Sequence, residues 1–176
     1  DGSFGTWIKV GADSRITLYT PHIDMGTGTS TALAQMVAEE LDADWDKVAV
    51  DSAPAETAFA NPVLARGFLS EMAGSPGMVA AMPESLLSFI ARAMPLQITG
   101  GSSAVRFTGQ MGMRVVAAGT RLALIEEAAE RMGVPAAELS TAGHKVAHAK
   151  SGKSLSYGEL AAGAATRDLA ETPKLK

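Results

Sequence analysis

Polar and apolar positions alternate early in the chain. Trp7-Ile8-Lys9-Val10 reads as a short strand, and Gly11-Ala12-Asp13-Ser14 carries turn residues. Arg15-Ile16-Thr17-Leu18-Tyr19 alternates again, as a half-buried strand does, so the pair predicts a hairpin ended by Pro21. The period then changes. Leu33, Met36, Val37 and Leu41 recur at i, i+3, i+4 and i+8, which is one apolar stripe of a helix, with Thr29 or Ser30 as its cap. Asp42 to Asp46 is a polar turn, and Lys47-Val48-Ala49-Val50 predicts a third strand. The order is strand, strand, helix, strand.

The middle of the chain breaks this regularity. Residues 52–98 hold five of the eight prolines, and five of the nine methionines fall between Met72 and Met111. The pattern predicts a Met-filled insertion, about residues 56–98, packed on a main body; methionine fills irregular gaps well. Within it, residues 85–93 predict a short helix presenting Leu86, Leu87, Phe89 and Ile90. A long helix follows, about residues 104–132, supported by Val105, Val115, Leu122 and Ile125. Gly109, Gly112 and Gly119 lie inside it at about 1 kcal/mol each against alanine, so their placement predicts close approach to another backbone or a ligand. Gly133 and Pro135 mark its end. Residues 145–148 and 154–157 predict a closing hairpin, residues 158–165 a last helix, and about 168–176 a polar tail that reads as a linker. The whole is expected to be α+β: a small, mostly antiparallel sheet with helices packed on one face, in a single domain spanning 1–176.

Composition narrows the function. Lys plus Arg is 15 against 19 Asp plus Glu, with no basic stripe, which argues against nucleic acid as a partner. There are no cysteines, so disulfides, thiolate metal sites and catalytic thiols are excluded, and the chain cannot by itself ligate an ordinary iron–sulfur cluster. No apolar run reaches the roughly 20 residues of a membrane span, and no signal peptide is read at the start.

Two segments share one design. Gly26-Thr27-Gly28-Thr29-Ser30-Thr31 and Gly100-Gly101-Ser102-Ser103 are small, Gly-rich and hydroxyl-rich, and each precedes a helix. Helix N-termini present unpaired N–H groups and a positive dipole end, which suits an anion. Two such loops on facing helices would grip a diphosphate; two ordinary capped helices are what the pattern alone favours. The first segment lacks the P-loop lysine and the third glycine of a dinucleotide fingerprint. His144 and His148 should project to one face with Val146, as exposed hairpin histidines rather than a metal pair, and His22 is expected at the surface. Glu39, Glu40, Glu126, Glu127 and Glu130 are read as solvated helix faces.

The run from Asp24 to Leu41, beginning Asp24-Met25-Gly26-Thr27-Gly28, resembles the Met-Gly-Gln-Gly segment and following helix of molybdenum hydroxylases, the xanthine dehydrogenase and aldehyde oxidase enzymes. Trp45 to Val50 is similar to their next strand, Thr99 to Val105 to their second cofactor loop, and Val115 to Met132 to the long helix beyond. Gly143 to Gly158, with Ser156-Tyr157-Gly158-Glu159-Leu160, resembles the subgroup typified by isoquinoline 1-oxidoreductase beta subunits.

The resemblance implies a molybdopterin-binding segment, with Gly26, Thr27, Gly28, Thr29, Gly100, Gly101, Ser102 and Ser103 as cofactor-binding residues and no catalytic or metal-ligating residue of its own. It implies the cytosine dinucleotide form of the cofactor, iron–sulfur clusters only in a partner subunit, and oxidation of aldehydes or N-heterocycles with water as oxygen source. Thr27 stands where the family usually has Gln, and no counterpart of the family's Glu base is present. The chain therefore reads as an amino-terminal piece of a longer large subunit or as one chain of a split enzyme, inactive alone; the sequence does not choose between a bacterial periplasm and cytoplasm. A non-catalytic scaffold domain and an unrelated small anion-binding domain are the alternatives.

Overall fold

The computed structural model describes residues 1–54, 56–74, 76–94, 96–97, 105–170 and 172–176. In chain order the strands and helices are β1 (Gly2–Phe4), β2 (Ile8–Val10), β3 (Ile16–Thr20), α1 (Thr29–Glu40), β4 (Val48–Ser52), α2 (Pro62–Ala73), α3 (Pro76–Ala80), α4 (Glu84–Ala93), α5 (Arg114–Met132), β5 (Leu139–Ala142), β6 (Lys145–His148), β7 (Lys153–Ser156) and α6 (Tyr157–Ala164). A π-helical segment, Val105–Met113, leads into α5.

The fold is α+β. β1 to β4 form one sheet in that order; the first two pairings are antiparallel, and β3 pairs with β4 in parallel because α1 carries the chain back between them. β5, β6 and β7 form a second, antiparallel sheet where the sequence predicts only a hairpin. β1 and β5 are too short and too weakly alternating to stand out beside their partners.

One face of the first sheet carries Phe4, Ile8, Val10, Ile16 and Leu18, all buried. Against it pack Leu33, Val37 and Leu41 from the α1 region, Ala117, Leu124 and Ala128 from α5, and Leu160, Ala161 and Ala164 from α6. The alanines let these helices come close, which is how a chain poor in aromatics fills its core. Ser156 and Glu159 cap α6 reciprocally, each side chain accepting the other's backbone N–H. Gly133 stops α5 in the left-handed conformation, φ 68°, as its position before Pro135 predicts.

Three expectations are corrected here. The insertion is helical, α2 to α4, but its methionines are not its filling: Val79, Leu87 and Ala91 are buried while Met72, Met78 and Phe89 are exposed. The long helix is interrupted, its first part being the π-helical segment. The tail is not a free linker. Leu169 packs on the core, the Lys176 backbone N–H donates to the Glu40 carboxylate at 3.2 Å, and the Lys176 ammonium meets Asp42.

The polar readings of the histidines and two glutamates are also corrected. Glu40 and Glu127 are buried, each held by two arginines: Arg114 and Arg121 at Glu40, Arg131 and Arg167 at Glu127. His144 and His148 do share a face with Val146, but it is the inner face. His148 bonds Ser151 at 2.8 Å and Glu138 at 2.9 Å. His144 accepts the Asp44 N–H at Nδ1, 3.1 Å, and its buried Nε2 has no partner among the described residues.

Burial, with Lys47 nearby, lowers the His144 pKa, and Asp44 opposes this only in part. An unfolded imidazole titrates at about 6.5, so between that value and the lower folded one the unfolded chain binds more protons. Stability is complete above about pH 6.5 and is lost as pH falls through the folded pKa. His144→Asn keeps an acceptor near Nδ1 and tolerates the positive φ of 62° at this position. Urea midpoints measured from pH 7 to pH 5 are expected to fall less steeply for this variant than for the wild type. An unchanged slope would contradict a buried neutral His144.

Candidate cofactor-binding site

The first glycine-rich segment is a turn between β3 and α1. Gly26 and Gly28 adopt left-handed backbone, φ 84° and 71°, and α1 begins at Thr29. Neither Thr29 nor Ser30 is the cap; Gly28 holds the cap position and no side chain of its own completes it. Asp24 does this from outside the helix. Its Oδ1 accepts N–H bonds from Gly26, Thr27 and Gly28 at 3.1, 2.9 and 3.0 Å, and its Oδ2 accepts from Ser30 at 3.1 Å. Loss of hydration works against ionisation of Asp24, but the four backbone donors outweigh it and lower its pKa. Thr27 and Thr29 share a hydroxyl bond of 2.9 Å.

The N–H groups expected to face an anion are thus already gathered around an internal carboxylate. Among the described residues the opposite side of the turn is open: a Cβ added at Gly26 or Gly28 would meet none of them within 4 Å. The sequence contains the signal for this cap, an Asp shortly before a Gly-x-Gly turn, but its length is not that of a standard N-cap.

The second segment, Gly100, Gly101, Ser102 and Ser103, lies outside the described residues. The element after it is in view and lies against α1. A Cβ on Gly109 would come within 2.7 Å of Leu33 Cδ2 and 2.9 Å of Met36 Sδ, so this glycine allows the close approach that its placement predicts. At Gly119, by contrast, an added Cβ would meet the Ala170 carbonyl oxygen at 3.6 Å, an ordinary contact, so close approach does not require glycine there. A groove of about 410 Å³, lined by Ala32, Gln35, Met36, Glu39, Gln110 and Arg114, runs between α1 and the π-helical segment.

His22, expected at the surface, is buried beside the turn and bonds Thr108 through Nε2 at 2.9 Å; burial lowers its pKa. Among the described residues no group of three or more His, Cys, Asp or Glu is placed to hold a metal ion, and no helix is long and apolar enough to cross a membrane.

The molybdopterin cofactor-binding domain family matches residues 2–65, which cover the first sheet, α1 and the turn between them. The beta chain of isoquinoline 1-oxidoreductase from Brevundimonas diminuta is 34% identical over 158 residues, 89% of this chain and 16% of that protein. A nicotinate dehydrogenase polypeptide from Pseudomonas putida is 30% identical over 157 residues, 89% of this chain and 10% of that protein. A membrane-bound aldehyde dehydrogenase of Gluconacetobacter polyoxogenes is 26% identical over 164 residues, 92% of this chain and 16% of that protein. The crystal structure of quinoline 2-oxidoreductase from Pseudomonas putida 86 shares the fold, with a TM-score of 0.55 at 14% identity over 96% of this chain and 18% of that one.

Residues 2–65 are a molybdopterin cofactor-binding domain, and the chain is similar to part of molybdenum hydroxylase polypeptides such as the isoquinoline 1-oxidoreductase beta chain. It spans about one-sixth or less of the length of these curated relatives. The unrelated anion-binding domain is set aside. Among the described residues the turn has room for a flat group: its two glycines leave the backbone bare, and the exposed Thr27, bonded to the buried Thr29 hydroxyl, offers a polar side chain beside them, while the backbone N–H groups are held by Asp24.

Proposed function

We propose that this chain holds part of a pyranopterin molybdenum cofactor, in its cytosine dinucleotide form, within an assembly that oxidises aldehydes or N-heterocycles with water as the oxygen source. The observation that carries this is the open Gly26-Thr27-Gly28 turn beside the π-helical segment, inside the family's matched region. Gly26 and Gly28 let the cofactor approach the backbone, while the exposed Thr27 hydroxyl bonds its polar edge and the buried Thr29 hydroxyl holds Thr27 in place. Gly100, Gly101, Ser102 and Ser103 form the second contact. When bound, the molybdenum centre supplies two-electron oxidation of the substrate carbon. The site is completed by the remainder of a large subunit and by an iron–sulfur partner; with no cysteine of its own, the isolated chain is expected not to turn over.

Asp24 favours a second reading. Because its carboxylate already takes four N–H groups, this segment could serve as a scaffold beside a cofactor held elsewhere. One experiment separates the two: native mass spectrometry of the assembly from its natural source, with molybdenum quantified in the same sample. Under the cofactor reading the assembly contains molybdenum, and Gly26→Val lowers it about tenfold, equivalent to about 1.4 kcal/mol of binding. Full occupancy in a folded Gly26→Val assembly would establish the scaffold, and a molybdenum-free assembly would overturn the cofactor reading.

A further inference from the structure

We infer that His22 is a positioning residue, whose bond to Thr108 fixes the first glycine turn against the π-helical segment. The inference rests on the cofactor reading above and assigns the residue that sets the spacing of its two sides. His22 stands two residues after β3 and two before Asp24, the residue that gathers the turn. Its backbone N–H donates to Thr20 Oγ1 at 3.2 Å, anchoring it to the end of the sheet. Its ring is buried, and so is Thr108; the Nε2 to Oγ1 distance is 2.9 Å.

The other ring nitrogen, Nδ1, is buried with no hydrogen-bond partner among the described residues. An imidazole that leaves one nitrogen unpaired is a costly way to fill space that leucine would fill at no such cost. What the imidazole adds is direction, a bond aimed from the entry of the turn to the middle of the π-helical segment. Nine residues of π-helix are a rare and poorly self-supporting stretch. Gly109, the next residue, rests on Leu33 and Met36 of α1. Among the described residues the segment is held at its end by Met113, buried in the core, in its middle by packing against α1 at Gly109, and next to that by the hydrogen bond to the turn at Thr108. Only the bond ties it to the entry of the turn, so without it the part before Gly109 is expected to loosen relative to the turn.

The test compares the 176-residue chain with His22→Ala, His22→Gln and Thr108→Val. Amide hydrogen exchange is read over residues 24–30 and 105–110, and molybdenum content is measured after assembly with the partner polypeptides in a cofactor-producing bacterium. His22→Ala and Thr108→Val are expected to speed exchange in both segments about tenfold and to lower molybdenum content by about the same factor. His22→Gln, whose carboxamide nitrogen reaches the Nε2 position, restores both. Wild-type exchange in a folded His22→Ala or Thr108→Val, or a His22→Gln that behaves like alanine, overturns the inference. If His22→Ala does not fold, Thr108→Val against His22→Gln decides. Molybdenum absent from the wild-type assembly overturns the cofactor reading instead, and the exchange comparison still judges the tether.

Discussion

Replacing Glu40 by alanine is expected to lower the melting temperature of the chain by about 6–12 °C. Glu40 is the last residue of α1 and is fully buried. Its carboxylate accepts Arg114 Nε at 2.6 Å, lies 3.6 Å from Arg121, and accepts the Lys176 N–H at 3.2 Å. Alanine leaves two guanidinium groups facing a space that holds no counter-charge. Breaking a buried pair in this way costs about 3–5 kcal/mol. Arg114 and Arg121 are 25% and 16% exposed, so water reaches them in part and the lower end, about 3 kcal/mol, applies. At about 2–4 °C per kcal/mol for a chain of this size, the range above follows. Glu40→Gln keeps the shape and an acceptor but not the charge, and its loss should be intermediate. Calorimetry checks the order, and limited proteolysis should find residues 172–176 cut faster in the alanine variant as the tail loses one of its anchors. A melting temperature within about 2 °C of the wild type would show that Glu40 does not balance these arginines.

Local pattern carried most of the architecture. The alternation of Arg15 to Tyr19 marks β3, the stripe of Leu33, Met36, Val37 and Leu41 marks α1, and the Gly133–Pro135 stop ends α5 where it predicts. Pairing partners were less legible. β1 and β5 acquire strand character from β2 and β6, a tertiary effect that short segments do not encode alone. Polar residues were misread for one reason: Glu40, Glu127, His22, His144 and His148 look solvated in sequence, and only distant partners such as Arg114, Arg167 and Thr108 make their burial affordable. The candidate site divides the same way. Gly26 and Gly28 announce a tight turn, and the structure gives both positive φ. Asp24 and His22, which shape that turn, were missed because each acts through groups that come together only in the fold.

Gly158→Ala is expected to destabilise the chain by about 3 kcal/mol, the upper end of ordinary overpacking, because the atoms it meets cannot rotate away. Gly158 is the second residue of α6 and lies on the turn between β2 and β3. A Cβ there would overlap the Ala12 carbonyl oxygen, come within 2.6 Å of its carbon and lie 2.9 Å from the Ser14 nitrogen. All three are backbone atoms. Backing α6 away would stretch the Gly158 N–H bond to Ser14 Oγ, 2.8 Å, and the buried bond from the Tyr157 hydroxyl to the Leu41 carbonyl, 2.6 Å. It would also unload β1, since Gly2 packs so tightly on Ala161 of the same helix that a Cβ would overlap that carbonyl oxygen. Gly67→Ala is the matched control. It lies in α2 with nothing within 4 Å of the added Cβ, so helix propensity alone acts and should stabilise by about 0.5–1 kcal/mol. Urea denaturation of the two variants should therefore move in opposite directions, with faster amide exchange in β1 only for Gly158→Ala. If the two move alike, α6 is not docked on the turn through its backbone, and the edge of the first sheet does not depend on that helix.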